Sequence, residues 1–333
     1  MFANVVGHDA AQRALGRALA SGRLSHAHLI VGPPRVGKRT LALALAQALL
    51  CQVGPPACNE CHSCRRAAAG RHPDLLSVGF EDRRGPRADL GIDQAHALQR
   101  MLALAPFEGR CRVAIIDGAE RLTHEAANAL LKTLEEPPPH SYLILLSEAE
   151  ENILPTMVSR CQRLALRPLP KTLIEQALVE RWGAEAMQAA SLAEHARGHL
   201  GWAVSALNDA ALLDEAEAQL GSLERLLGEG LGGRLTTAEG LAERATENPA
   251  AVLDLLRSWR RWWEGVLLAK GGVPQTDDRL RRAAAELSWR SLLDALHSVD
   301  LAREHWEHNV NPLLTFEHLA LALPNLGPAE PRS

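Results

Sequence analysis

The stretch AHLIVGPPRVGKRT, residues 27–40, constrains this chain more than any other. A short apolar run, Ala27–Val31, leads into a Gly/Pro-rich turn, and the turn opens onto the helix-forming run KRTLALALAQALL. Gly32, Gly37 and Lys38 fit G-x-x-x-x-G-K in the strand–turn–helix setting that a phosphate-binding loop needs. Backbone N–H groups and the positive end of the helix would face a phosphate, and Lys38 would add a full charge. The next position, which normally gives a hydroxyl to Mg²⁺, holds Arg39. Arginine has no acceptor and cannot ligate a cation. Thr40 lies one residue on, about 100° round the helix, and substitutes only if the loop shifts. The defect touches the metal rather than the phosphate cradle. ATP or ADP binding therefore stays open, beside the plainer reading of a strand–helix turn with no ligand.

The second strand of such a site should end in acids that hold Mg²⁺ and polarise water. VAIIDGAERL keeps Asp117 but follows it with Gly118, where working motors carry a Glu as general base. Glu120 stands two residues further on. Loss of a general base typically lowers turnover by about two to four orders of magnitude, so intrinsic ATP hydrolysis is not expected.

Short apolar runs at 27–31, 113–117, 142–147 and 163–166 alternate with helical patterns, which predicts a parallel sheet covered on both faces. THEAANALLKTLEE reads as a helix capped by Thr123 and ended by Pro137–Pro139. After Pro168 no strand is expected. KTLIEQALVERWG and AEHARGHLGWAVSALND read as a small helical unit, and long amphipathic helices follow, with a loop at 269–278 and Pro324 as a stop. Trp259, Trp262 and Trp263 fall at helical spacing and are expected in a helical core, although the same residue types serve at subunit interfaces.

Cys51, Cys58, Cys61 and Cys64 form C-x6-C-x2-C-x2-C directly after the phosphate-loop helix. Four thiolates at this spacing suit a closed, tetrahedral, structural Zn²⁺ site and leave His62 without a vacancy. Disulfides are the competing reading, disfavoured in a reducing compartment. Cys111 and Cys161 are expected to be ordinary buried thiols. Arg65, Arg66 and Arg71 flank the cluster, but the C-x2-C…H-x3-H spacing of a DNA-reading finger is absent. A formal net charge of -4 argues against a DNA-coating protein. The opening MFANVVGHDAAQRAL lacks a basic stretch followed by an apolar one, and no run is long and apolar enough to span a bilayer, so a cytoplasmic location and no membrane partner are expected.

Read together, GRLSHAHLIVGPPRVGKRT, THEAANALLKTLEEPP and PTMVSRCQRLAL resemble the AAA+ clamp-loader subunits of bacterial DNA polymerase III. Ser159-Arg160-Cys161, shortly after a sensor strand, is that group's hallmark, and NVNPLLTFEHLALAL (309–323) resembles its collar end. The resemblance spans essentially the whole chain, with the middle of the last domain weakly marked, and the group shares the cysteine insertion. It implies an α/β AAA+ P-loop NTPase-type domain with a parallel sheet over 1–167, carrying a zinc module at 51–64. A small helical lid over 168–208, an all-α collar over 209–323 and a disordered tail over 324–333 would follow. Gly201, in GHLGWA, stands where motor subunits carry a second-sensor Arg, and Ser147 falls near the first-sensor position.

An intact S-R-C with damaged motor residues resembles the family's non-motor role. Arg160 would then be an arginine finger reaching a neighbouring subunit's ATP. The plainer alternative for Arg160 is a salt bridge closing a strand–helix corner. The implied partners are gamma/tau-type motor subunits and a delta-type subunit in a hetero-oligomeric ring. The ring would place a sliding clamp on primed DNA as part of the polymerase III holoenzyme, with no polymerase chemistry in this chain. Two rivals remain: a self-sufficient AAA+ ATPase using Thr40 and Glu120, and a nucleic-acid-binding module on a vestigial ATPase frame.

Overall fold

Five parallel strands lie in the order β2-β3-β4-β1-β5: β1 Ala27–Val31, β2 Leu75–Val78, β3 Arg112–Asp117, β4 Ser141–Ser147 and β5 Gln162–Ala165. The computed structural model describes residues 2–54, 56–79, 90–274, 277–307 and 310–327. Within them the chain forms two compact units, 1–208 and 209–333.

In the first unit the period-2 pleat sorts side chains between two cores. Ile30, Val113, Ile115, Ile144 and Leu146 face α1 (Asp9–Ala20), α2 (Lys38–Leu50) and α3 (His62–Ala68). Leu29, Ala114, Ile116, Leu143 and Leu145 face α4 (Ile92–Ala103), α5 (His124–Glu135) and α6 (Pro155–Val158). Every residue of β1 is buried, as an interior strand of a sheet covered on both faces must be. The Thr123 hydroxyl accepts from the Ala126 N–H at 3.2 Å, which is the cap expected from the sequence. β2 and α4 were not expected: β2 is only four residues long, too short to establish a period.

Three helices complete this unit: α7 Lys171–Trp182, α8 Ala186–Ala196 and α9 Leu200–Asn208. The run AEHARGHLGWAVSALND is split, because Arg197 and Gly198 both take positive φ and reverse the chain between α8 and α9.

The second unit holds α10 Ala211–Gly228, α11 Leu231–Glu247, α12 Pro249–Lys270, α13 Asp278–Glu286, α14 Trp289–Glu307 and α15 Pro312–Ala322. Trp259, Trp262 and Trp263 are all buried in its core, and the Trp259 indole N–H donates to the Gln219 carbonyl at 2.9 Å. Arg234 is buried too; its guanidinium donates to the carbonyls of Ala320, Leu323 and Pro324 at 3.0, 2.6 and 2.8 Å. The Ala320 carbonyl belongs to the last turn of α15, where carbonyls lack an intrahelical partner, and the other two follow directly on it. The start of the expected disordered tail is held against this unit, with the Leu326 N–H donating to the Leu227 carbonyl at 2.8 Å. The rest of that tail, 328–333, lies outside the described residues, as do 275–276 of the expected 269–278 loop and Asn309 of the collar-end motif.

Candidate phosphate-loop site and cysteine cluster

β1, β3 and β4 are neighbours, so their carboxyl ends form one crest that carries the phosphate loop, Asp117 and Ser147. Ligands of open α/β sheets bind at this end. Gly32 is required by close approach: a Cβ there would lie 2.5 Å from the Leu166 carbonyl oxygen. Gly37 is required by its φ of 113°, which starts α2 from the left-handed region.

The loop's carbonyls are taken by the chain's own donors. The Lys38 ammonium is buried and donates to the carbonyls of Gly32 and Pro33 at 2.5 and 2.9 Å. His199 Nδ1 donates to Pro34 at 2.7 Å, the Gly201 N–H to Arg35 at 2.9 Å and His8 Nε2 to Val36 at 3.0 Å. The Gly37 carbonyl accepts from the Leu41 N–H at 3.0 Å. Six successive carbonyls are thus satisfied from the N-cap of α1, from α2 and from the region opening α9. Arg39 and Thr40 are both exposed.

Gly201 sits directly on the loop. A Cβ at 201 would stand 2.9 Å from the Arg35 carbonyl oxygen and 3.3 Å from the Arg35 Cβ. Position 201, which the resemblance matches to a second-sensor Arg, is therefore a backbone contact in this chain. Nothing in the sequence around Gly201 signals this contact with Arg35, 166 positions away.

Asp117 ends β3 below the loop. Burial pushes its carboxyl above the usual carboxylate range, against the opposing pull of Lys38, Arg121 and Arg39. Gly118 follows with φ 77°, and Arg121 Nε lies 2.4 Å from where its Cβ would stand. A Glu at 118 would be strained in this turn whatever its chemistry. Glu120 turns inward beside the Ser147 hydroxyl, with its carboxyl also raised by burial. The structure therefore brings Lys38, Asp117, Glu120 and Ser147 to one crest and leaves Thr40 at the surface.

Arg160 follows α6. Its guanidinium pairs with the Glu135 carboxylate at 2.6 Å and donates to the Thr156 carbonyl at 2.8 Å. The side chain remains 35% exposed, so it is pinned at the surface rather than buried. The pair ties the turn between α6 and β5 to the last residue of α5.

Cys51, Cys58, Cys61 and Cys64 bring their sulfurs within 4.8 Å of one another. The Cys51–Cys58 and Cys58–Cys64 sulfur separations are 3.7 and 3.9 Å. Tetrahedral Zn–S bonds of about 2.3 Å place ligand sulfurs about 3.8 Å apart, so the cluster fits a four-thiolate metal. The N–H groups of Cys58, Cys61 and Cys64 point at the sulfurs of Cys51, Cys58 and Cys61 at 3.5, 3.3 and 3.4 Å. Backbone N–H groups of Cys61 and Glu60 hold the Cys58 thiol down to about 6, favouring the thiolate that a metal needs. All six cysteines are free thiols. Cys111 is buried and Cys161 half-buried, and burial pushes them up to about 12 and about 11 respectively. Both are ordinary inert thiols.

The first unit is thus a parallel α/β domain with a phosphate-loop crest and a four-cysteine insertion. Over residues 7–170 the chain belongs to the bacterial DNA polymerase III clamp-loader family, matching the family described as "DNA polymerase III, delta subunit". It is 36% identical over 168 residues to subunit delta' of Bacillus subtilis, covering 50% of each chain. It is 40% identical over 153 residues to subunit delta' of Pseudomonas aeruginosa, covering 45% of each. Against subunit tau of Escherichia coli the identity is 29% over 319 residues, 93% of this chain and 48% of tau. The chain spans about half the length of the curated relatives it matches. Among solved structures, a gamma subunit-related protein of Thermotoga maritima aligns with 93% of this chain and 97% of its own, at 19% identity and TM-score 0.44.

Proposed function

We propose that this chain is the delta-prime-type, non-motor subunit of a DNA polymerase III clamp loader. On this reading its AAA+ domain (1–167), lid (168–208) and collar (209–323) join gamma/tau-type motor subunits and a delta-type subunit in one ring. Zn²⁺ held by Cys51, Cys58, Cys61 and Cys64 has a structural role, since four thiolates leave no open position for catalysis. The observation that carries the reading is the phosphate loop itself. Its Lys38 ammonium is tied to the carbonyls of Gly32 and Pro33, and Gly201, which the resemblance matches to a motor's second arginine, meets the loop with a backbone N–H and no charge. Arg39, Gly118 and the exposed Thr40 add to it, since none of them completes a Mg²⁺ and water site.

Arg160 then acts in trans. Released from Glu135, its guanidinium would stabilise charge on the γ-phosphate held by a neighbouring motor subunit, which needs no turnover in its own chain. The ring's ATP cycle would load a sliding clamp onto primed DNA, while this subunit contributes geometry and one cation.

A second reading has one observation behind it. Glu120 lies on the same crest as Lys38 and Asp117, so a displaced base is present for a self-sufficient ATPase. Incubating the purified chain with labelled ATP and Mg²⁺ separates the two. ATP left unchanged, bound or not, is the expected result. ADP that accumulates with time and disappears with Lys38→Ala would make the chain a motor.

A further inference from the structure

The loop between α4 and β3 is built around one buried carboxylate. Asp74 has no exposed surface, and its oxygens accept the N–H groups of Phe107, Glu108 and Gly109 at 2.6, 3.0 and 2.7 Å. Arg112 pairs with Asp74 at 3.5 Å and donates from Nε and a terminal nitrogen to the Ala105 carbonyl at 3.1 and 2.7 Å. The loop is stitched to the cysteine module as well. Glu108 pairs with Arg66 at 3.0 Å, and Arg110 donates to the Gln52 carbonyl at 3.0 Å.

This rigid scaffold holds apolar side chains out in water. Phe107 is 77% exposed, Val53 74% and Leu104 61%. Phe107 and Leu104 stand on the braced loop, and Val53 follows Gln52, which Arg110 ties to that loop. The framework is also basic. Arg65, Arg71 and Arg110 are exposed, and among the described residues none of the three has a carboxylate partner. Glu108 is already committed to Arg66 and His72.

We propose that the cysteine module and the Asp74-built loop form a docking surface for an acidic, apolar-anchored peptide segment of a partner protein. Phe107, Val53 and Leu104 take the anchor, and Arg65, Arg71 and Arg110 take its carboxylates. A pre-formed surface loses little conformational freedom on binding, which favours a short segment as its ligand. An aromatic beside arginines is the composition of interface hot spots. Single-stranded nucleic acid fits less well, because stacking needs π-faces and two of the three apolar groups are aliphatic.

The full chain, loaded with Zn²⁺, would be panned against a random twelve-residue peptide library. Binding of the enriched peptides would then be compared with Phe107→Ser and with the double variant Arg65→Glu/Arg110→Glu. All three substituted positions are exposed, and unchanged melting and metal content would establish that the variants fold. The expected result is enrichment of net-acidic peptides carrying an aromatic or large aliphatic residue, bound at least about tenfold more weakly by both variants. Failure to enrich, enrichment of neutral or basic peptides, or equal binding by the variants would overturn the proposal. So would binding of a dT20 oligonucleotide that is lost in the same variants, which would assign the surface to nucleic acid.

Discussion

The Gly201 N–H donates to the Arg35 carbonyl at 2.9 Å, so α9 meets the phosphate loop backbone to backbone, beside the bond from the His199 ring to the Pro34 carbonyl. Placing an arginine at this position, as the resemblance to motor subunits suggests, should therefore harm the fold instead of reviving turnover. Gly201→Arg places a Cβ 2.9 Å from a backbone oxygen. It is expected to cost about 1–3 kcal/mol, as overpacking does. Urea denaturation alongside an ATP turnover assay checks both halves. An unaltered midpoint with new hydrolysis would show that the site is dormant, not dismantled.

The four-cysteine cluster should hold one Zn²⁺ per chain, measurable by elemental analysis. A metal that binds only the folded state contributes about 4 kcal/mol at a free concentration a thousandfold above Kd. Chelation, or Cys64→Ser, is expected to lower the melting temperature by the corresponding several degrees. Equal melting with and without chelator would mean that the thiols are not a metal site.

His28 has no exposed surface, is the second residue of β1, and has no hydrogen-bond partner at either ring nitrogen. Burial lowers its pKa to about 4. The unfolded chain binds this proton near pH 6.5, so between about 6.5 and 4 the unfolded state holds more protons and stability falls as pH falls. The full effect is about 3 kcal/mol. Chemical denaturation of wild type and His28→Leu across that window should show a difference that shrinks towards neutral pH. Parallel curves would contradict it.

Asp74 titrates lower. Burial alone would raise its pKa, but the N–H groups of Phe107, Glu108 and Gly109, with Arg112 beside them, hold it below the usual carboxylate value. Its contribution is present above the unfolded value near 4 and is lost as pH falls through the lower folded value. Asp74→Asn keeps the shape but loses the charge-assisted bonds, and is expected to cost about 2–4 kcal/mol at neutral pH. Hydrogen exchange at the N–H groups of 107–109 should quicken in the variant. Unchanged protection there would mean that the loop is held by something else.

Much of this was legible in the sequence because local chemistry carried it. G-x-x-x-x-G-K between an apolar run and a helix fixes a loop on a strand–helix crest, and C-x6-C-x2-C-x2-C fixes a thiol cluster. Thr123 announces a helix start, and the tryptophans at helical spacing mark the core of the second unit. What stayed hidden depends on partners distant in sequence. No residue near Pro34–Val36 hints that His199, Gly201 and His8 cap their carbonyls. Nothing beside Asp74 shows that residues 107–109 fold around it. β2 was missed because four residues set no period, and the break between α8 and α9 because Arg197 is no obvious left-handed residue. Arg160 was found through the S-R-C signature, but its pairing with Glu135 came only with the three-dimensional structure.

A non-motor subunit of this kind does its work through Arg160 in trans, and a reconstituted ring tests that most directly. Rings of gamma/tau-type motor subunits, a delta-type subunit and this chain would be assembled with wild-type protein, Arg160→Ala and Arg160→Lys, and ATP turnover followed at the adjacent motor site. The pair with Glu135 is at the surface and contributes no more than about 1 kcal/mol, so the isolated variants should fold normally. The expected result is a fall of about 10³-fold at that one site, not rescued by Lys, whose point charge lacks the guanidinium fork. Assembled rings that hydrolyse ATP at that site equally well with Arg160→Ala would contradict a finger in trans and leave Arg160 as the corner pair it makes with Glu135.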